Sequence, residues 1–102
     1  MAELEADEFY QEHAEFCRIC GNAKRLKILD FLADGRARTV STIENETGIT
    51  QSTLSQHLKV MRDQGILHRE KDGVRSYYSI GDQRVVDAVE IVQGVVRDRL
   101  AD

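Results

Sequence analysis

The chain has 102 residues, enough for one domain with a modest hydrophobic core, and we expect residues 1–102 to fold as a single unit. Its composition is 41% hydrophobic and 31% charged, which is typical of a folded soluble protein and leaves no run of about 20 apolar residues for a membrane span. The acidic N-terminus is the reverse of a targeting signal, so a cytoplasmic location without a membrane partner is predicted.

Charge is unevenly distributed behind the net value of −4. Six of the 18 acidic residues lie within the first 16 positions, where there is no Lys or Arg, and residues 1–8 are predicted to form an acidic arm. The remaining 12 acidic residues share the rest of the chain with all 14 Lys and Arg. The overall acidity therefore does not exclude a nucleic-acid partner, which needs only a local cluster of basic side chains.

Apolar spacing and capping residues mark the first two helices. Aromatic, His and Cys side chains recur at intervals of four and three, which predicts one face of an amphipathic helix that ends near Gly21. These residues are Phe9, His13, Phe16 and Cys20. Asn22 is the expected cap of a second helix, in which leucines face the core and basic side chains stay in solvent. The leucines are Leu26, Leu29 and Leu32, and the basic residues are Lys24, Arg25 and Lys27.

A helix-turn-helix is predicted over residues 39–64, after a short strand at residues 36–38. Thr39 or Ser41 caps its first helix, and Gly48 ends that helix. Thr50 begins the second helix, which is apolar on one side and polar on the other. Its predicted core residues are Leu54, Leu58 and Met61. Two helices separated by a turn that contains glycine are typical of this DNA-binding motif.

A β-hairpin and a long final helix complete the predicted fold. Residues 66–80 contain two extended runs around Lys71-Asp72-Gly73, and Asp-Gly is a strong hairpin-turn signal. Residues 82–100 repeat apolar side chains at helical spacing, chiefly Val85, Val89, Val92 and Val96, and carry more apolar surface than one small domain covers. We therefore expect a mainly α fold with five helices and a small β hairpin, in which the first and last helices form a two-fold homodimer.

This order of elements resembles the ArsR family of winged helix-turn-helix regulators over about residues 16–100. The segment CGNAKRLKILDFL is similar to the family's second-helix entry, ITQSTLSQHLKVMRDQGIL to its recognition helix, and KDGVRSYYSI to its wing. Ala23 stands where family members usually carry proline, and alanine is also acceptable at a first helical position. The resemblance implies a transcriptional regulator, expected to be a repressor, with double-stranded DNA as its partner.

The predicted DNA-binding residues lie on the recognition helix and the wing. Short hydroxyl and amide side chains at the start of a helix can reach base edges, and basic side chains can reach phosphates. The helix residues are Gln51, Ser52, Thr53, Ser55, Gln56, His57 and Lys59, and the wing residues are Arg69, Lys71 and Arg75. A two-fold dimer predicts an imperfect inverted repeat as the DNA target, with half-sites about 10 bp apart.

His13, Cys17 and Cys20 are the candidate effector site, because their spacing places them on neighbouring turns of one helix face. With no sign of export, the cysteines are expected to be free thiols at rest. Three alternatives stay open. The thiols are simple core residues, they form a reversible disulfide or polysulfide bridge, or with His13 they bind Zn²⁺ or another thiophilic ion. No cofactor is required by the first two.

Two other classes of function compete with an effector-controlled regulator. One is a regulator of the same type without a small-molecule effector, and the other is a winged-helix module that binds proteins. An enzyme is not expected, since the sequence has no Gly-rich phosphate loop and no recognisable catalytic constellation. The segments RTVSTIE and DQRVVDAVE, which match metal sites in the family that the chain resembles, contain neither Cys nor His.

Overall fold

The structure is a computed structural model that describes residues 6–101, so residues 1–5 of the predicted arm lie outside the described residues. Within the described range it has five helices and three strands. In chain order these are α1 (Ala6–Cys20), α2 (Ala23–Leu32), β1 (Arg38–Thr39), α3 (Val40–Thr47), α4 (Gln51–Asp63), β2 (Leu67–Asp72), β3 (Arg75–Ile80) and α5 (Gln83–Ala101). The predicted winged helix-turn-helix order is confirmed. No helix in this range has both the length and the apolar character to cross a bilayer.

The last three residues of the predicted acidic arm are helical. Residues 6–8 belong to α1, and Asp7 and Glu8 lie in its first turn. Carboxylates are favourable there because the N-terminal end of a helix carries a partial positive charge. Residues 1–8 were predicted to form a separate segment, whereas Asp7 and Glu8 stabilise the start of α1.

One hydrophobic core joins α2, α3, α4 and the hairpin. Its largest fully buried side chains are Ile28, Leu29, Leu32, Ile43, Leu54, Leu58, Met61 and Ile66. The predicted core residues of α4 are confirmed, and Tyr78 of the hairpin is buried in the same core. In α2, Ile28 is fully buried while the predicted Leu26 is only half-buried. This helix packs against several elements at once, so its buried surface is wider than a single row of leucines.

The wing belongs to a three-stranded antiparallel sheet with the strand order β1-β3-β2. Strand β1 starts at Arg38, at the end of the predicted strand, and pairs Arg38 with Tyr78. In the hairpin, Asp72 pairs with Arg75, so the turn residues are Gly73 and Val74. The predicted turn at Lys71-Asp72-Gly73 was therefore placed too early, since Lys71 and Asp72 belong to β2 and only Gly73 lies in the turn. Gly73 has a φ of 64°, a conformation that glycine adopts without steric cost.

Three predicted helix boundaries are confirmed by their capping contacts. The Asn22 side chain accepts hydrogen bonds from the backbone N–H groups of Lys24 and Arg25, at 3.0 and 3.2 Å. Thr39 Oγ1 accepts from the backbone N–H of Thr42 at 3.2 Å, which identifies Thr39 rather than Ser41 as the cap of α3. Gly48 ends α3 in the left-handed conformation that favours glycine.

The start of α4 is capped from a distance. Thr50 occupies the cap position but makes no side-chain capping bond. Instead, the Glu44 carboxylate of α3 accepts a hydrogen bond from the backbone N–H of Gln51 at 2.9 Å. The two helices of the motif are thus joined by a charged contact as well as by their apolar packing.

The final helix divides into a docked part and an exposed part. Val86 is buried, and Val85 and Val89 pack against the core. The rest of its apolar surface lies in solvent, including Ile91 at 72% exposure and Leu100 at 81%. This exposed face agrees with the prediction that α5 carries more apolar surface than one chain can bury.

We expect Thr39→Ala to lower the free energy of unfolding by about 1 kcal/mol, because α3 loses the acceptor of its Thr42 N–H. Thr50→Ala removes the same side chain from the equivalent position of α4, where it makes no capping bond, and should change the free energy by less than about 0.5 kcal/mol. Urea unfolding of both variants and the wild type measures the difference. Equal losses in the two variants would contradict a stabilising role for the Thr39 contact.

Candidate nucleic-acid interface

Helix α4 presents a polar surface opposite its buried apolar side. Most of the residues predicted to bind DNA on this helix are exposed, namely Gln51, Ser52, Ser55, Gln56 and Lys59. Thr53 and His57 are half-buried. The helix therefore offers short polar side chains over its first two turns, where base readout by a recognition helix takes place.

The start of α4 and the tip of the wing meet at an open groove. Residues from three separate elements line it, and they are Thr39, Val40, Ser41, Gln51, Val74, Arg75 and Ser76. Two of the predicted binding residues, Gln51 and Arg75, are thus brought together although they are far apart in the sequence. Ser41 of α3 and Ser76 of β3 add hydroxyl groups that were not predicted to belong to the site. Only the tertiary structure brings these two elements to the start of α4.

The basic residues of the wing lie on both faces of the hairpin. Residues that pair across an antiparallel ladder share a face, and neighbours along a strand alternate. Arg69 pairs with Tyr78, so it shares the core-side face with Lys71, whereas Arg75 pairs with Asp72 on the other face. Arg69 is half-buried, and Lys71 and Arg75 are exposed. The wing tip therefore carries one exposed basic side chain on each face, Lys71 on one and Arg75 on the other.

Lys59 is paired with an acidic neighbour on its own helix. Its Nζ lies 2.8 Å from Asp63 Oδ2, and both side chains are largely exposed. The hydrogen bond from Lys59 is the main reason that the pKa of Asp63 is lowered. Exposed ion pairs of this kind contribute little to stability, so a phosphate group can replace Asp63 as the partner of Lys59.

His57 is held from behind by Arg25 of α2. Arg25 Nε donates a hydrogen bond to His57 Nδ1 at 3.0 Å, and Arg25 Nη1 donates to the Ile19 carbonyl oxygen at 3.2 Å. Arg25 is half-buried, so the prediction that it stays in solvent was wrong. Burial, followed by the charges of Arg25 and Lys24, lowers the pKa of His57. No local pattern signals this contact, because the partners are 32 residues apart.

Comparison with known proteins decides the family. The model of the bacterial regulatory protein, arsR family, matches residues 22–69, from the cap of α2 to the middle of β2. The probable mercury resistance operon repressor of Streptomyces lividans is 34% identical over 88 residues, which cover 86% of this chain and 70% of that protein. The chain belongs to the ArsR family.

Two further relatives are similar to this ArsR-family protein over most of its length. The HTH-type transcriptional regulator Rv0324 of Mycobacterium tuberculosis is 37% identical over 81 residues, which cover 79% of this chain but only 35% of that longer protein. The solution structure of the homodimeric winged helix-turn-helix DNA-binding domain of Mb0332 from Mycobacterium bovis matches with a TM-score of 0.81 and 30% identity, covering 98% of this chain and 94% of that one. The ArsR-family protein thus has the fold of a DNA-binding transcriptional regulator.

The two cysteines of this ArsR-family protein lie in the last turn of α1. Both are free thiols, Cys17 exposed and Cys20 half-buried. His13 is exposed, and its ring centroid lies 6.1 Å from that of Phe9. Within residues 6–101, no three His, Cys, Asp or Glu side chains come together as a metal-binding group. The metal site at His13, Cys17 and Cys20 therefore stays a prediction that rests on sequence spacing.

Burial and a neighbouring thiol disfavour ionisation of Cys20 to the thiolate. Burial is the largest cause of the raised pKa of Cys20, and the neighbouring Cys17 raises it further, while Arg25 partly offsets both. The carbonyl end of α1 also disfavours a negative charge. Because the thiolate is the reactive form of cysteine, Cys20 reacts more slowly in the folded protein than a fully exposed thiol does.

At about pH 7.5, iodoacetamide should modify Cys17 faster than Cys20 in the folded protein, since Cys20 is half-buried and its pKa is raised. Trypsin cleaves after Arg18, so the two cysteines fall in separate peptides whose labelling mass spectrometry can follow. In urea the two rates should converge, which serves as the control. Equal rates in the folded state would contradict the protection of Cys20.

Proposed function

We propose that this ArsR-family protein is a homodimeric repressor that binds an imperfect inverted repeat in double-stranded DNA. The observation that carries the proposal is the meeting of the polar start of α4 with the wing tip at one groove, which Gln51 and Arg75 both line. A recognition helix in the major groove and a flanking wing need this arrangement. The name of the relative from Streptomyces lividans, a mercury resistance operon repressor, supports the sign of regulation.

The contacts to DNA divide into base readout and phosphate binding. Gln56 is exposed on the first half of α4, and an amide can form paired hydrogen bonds with adenine. Lys59 lies further along the helix and contacts phosphate, as do Lys71 and Arg75 from the wing. These cations occur twice in the dimer and release condensed counterions when they bind phosphates, so binding weakens steeply as the salt concentration rises.

The dimer forms through α5 and α1. The exposed apolar residues of these helices are Phe9, Tyr10, Ile91, Val92, Val95, Val96 and Leu100. Apolar surface of this extent on a small domain marks an interface. The homodimeric state of the Mb0332 domain supports a two-fold arrangement.

Selection from random duplexes should recover an inverted repeat with half-site centres about 10 bp apart or slightly more. We expect Val92→Asp, which places a charge on the dimer face, to yield a monomer with weak affinity for the full repeat. Arg97→Gln changes the net charge by the same amount on the polar side of α5 and should leave the dimer and its affinity intact. Sedimentation velocity and fluorescence anisotropy measure the two properties.

Two results would contradict the proposal. One is a wild-type protein that selects no repeat or binds duplex DNA without a steep loss of affinity at higher salt. This result would favour the alternative of a protein-interaction module. The other is a Val92→Asp variant that stays dimeric, which would place the interface elsewhere.

The proposed signal is oxidation of Cys17 and Cys20 to a disulfide. Each thiol loses a proton and one electron to an oxidant such as diamide, which is reduced to the hydrazine, and an S–S bond forms between the two Sγ atoms. Helical residues three apart have Cβ atoms about 5–6 Å apart, whereas a disulfide needs about 3.5–4.5 Å. The bond therefore distorts the last turn of α1, next to the proposed dimer face.

Diamide should weaken binding of the wild type to its selected DNA by a factor of about 5–150, the usual range of coupling between sites, and dithiothreitol should restore it. Cys17→Ser and Cys20→Ser should not respond. If Zn²⁺ rather than diamide weakens binding, and His13→Ala abolishes that response, the metal alternative holds, with further ligands from water or the partner subunit. A wild type that responds to neither is a regulator without a thiol effector.

A further inference from the structure

Arg25 joins three helices through its backbone and its guanidinium group. Its backbone N–H donates to the cap residue Asn22, Nη1 donates to the Ile19 carbonyl oxygen at the end of α1, and Nε donates to His57 Nδ1 on α4. The side chain is half-buried and projects from the first turn of α2. Because Arg25 is also bonded to Asn22 and to the Ile19 carbonyl, its bond to His57 fixes the middle of α4 relative to α1 and α2.

The apolar packing of α4 does not by itself fix the exact rotation and axial position of the helix. Leu54, Leu58 and Met61 are buried on one side of the helix, and such contacts are not directional. They set which side of the helix faces the core, but they tolerate a small turn about its axis or a small slide along it. A hydrogen bond is directional, since it weakens steeply when its angle departs from linearity. His57 lies one residue beyond Gln56, so a fixed His57 also fixes the direction of the exposed polar side chains.

We propose that Arg25 is a positioning residue for DNA recognition, and that it holds α4 in its binding orientation only while His57 is neutral. This inference rests on the proposed role of α4 in base readout. The charge state matters because Nδ1 accepts the bond from Arg25, and a protonated Nδ1 cannot accept it. Protonation of His57 therefore breaks the contact and places two cations against each other.

The surroundings of His57 favour the neutral ring at physiological pH. The charged groups that face it are Arg25 and Lys24, both on α2, and burial adds to their effect in lowering its pKa below 6.5. The unfolded chain therefore binds a proton at higher pH than the folded chain does. The stability that comes from neutral His57 is complete above pH 6.5 and is lost as the pH falls through the lowered pKa.

The test compares variants that separate the bond from the charge. Arg25→Gln removes the guanidinium, and Arg97→Gln removes an arginine charge from the exposed side of α5 as the matched control. His57→Asn places an amide oxygen at the branch position of Nδ1 and cannot be protonated, whereas His57→Ala has no acceptor. Fluorescence anisotropy measures the affinity of each protein for the selected repeat and for a scrambled duplex of equal length.

We expect Arg25→Gln to lower the affinity ratio of repeat to scrambled DNA by about tenfold, the scale of one lost charge-assisted hydrogen bond. Arg97→Gln should leave the ratio unchanged. In the His57→Ala background the Arg25→Gln change should have little further effect. As the pH falls from about 7.5 through the pKa of His57 that an NMR titration gives, the wild-type ratio should fall, and the ratio of His57→Asn should stay constant.

The inference is wrong if Arg25→Gln has the same effect with and without the His57 side chain, or if wild type and His57→Asn respond equally to pH. An NMR titration of His57 keeps the test independent of DNA binding. Removal of Arg25 should raise the pKa of His57, and an unchanged pKa would also contradict the contact. If the wild type binds repeat and scrambled DNA equally while this titration succeeds, the proposed function fails and the contact between Arg25 and His57 stands. Should Arg25→Gln fail to fold, Arg25→Lys keeps the charge and loses the two-directional donor geometry.

Discussion

The structure depends on the burial of one side of α4 between α2 and the hairpin. Leu54, Leu58 and Met61 occupy the centre of the core, in contact with residues of α2, α3 and β2. Because a helix has two sides, this burial turns the polar residues of α4 toward solvent without any further device. The contact of β2 with the same helix places the wing beside it, so one hydrophobic interaction arranges both parts of the proposed DNA-binding surface.

Polar contacts then restrain the rotation and the axial position of α4, which apolar burial leaves only loosely fixed. Glu44 accepts a hydrogen bond from the first N–H of α4, and Arg25 donates one to His57 in the middle of the helix. These two contacts come from α3 and α2 and lie at different heights along α4. Together they restrain its axial position and its rotation, the two degrees of freedom that decide which side chains can meet base edges. The apolar core supplies most of the stability, and these bonds supply orientation.

Much of this fold was predictable because its signals are local. Helical spacing of apolar residues, Asn22 and Thr39 as caps, and Gly48 as a helix end each act within a few residues, and the structure confirms them. The errors concern contacts between distant segments. The hairpin turn was misplaced because Asp72 continues the ladder with Arg75, and Arg25 was assigned to solvent because its partner lies on another helix. Sequence spacing indicates which side of a helix is apolar, but not which distant side chain meets its polar edge.

The candidate site, like the fold, was predictable only where its signals are local in the sequence. The polar residues of α4 follow from amphipathic spacing, whereas the groove shared by Gln51 and Arg75 depends on the hairpin register and could not be anticipated. Ser41 and Ser76 gain a place beside it only through tertiary structure. The distribution of wing cations over two faces also follows from the pairing of Arg69 with Tyr78 and of Asp72 with Arg75. A list of basic residues in the sequence does not distinguish one cationic face from two.

The thiols and the recognition helix are connected by a short series of hydrogen bonds. The Cys17 carbonyl oxygen accepts from the Gly21 N–H at 2.7 Å, which closes the last turn of α1, and the Ile19 carbonyl of the same turn holds Arg25. A disulfide between Cys17 and Cys20, the proposed signal, would contract this turn and displace the Ile19 carbonyl. Arg25 cannot follow without lengthening its bond to His57, because its backbone is anchored at the cap of α2. A thiol signal would thus act on α4 through the residue that orients it, since a signal shifts an equilibrium only by acting differently on its two states.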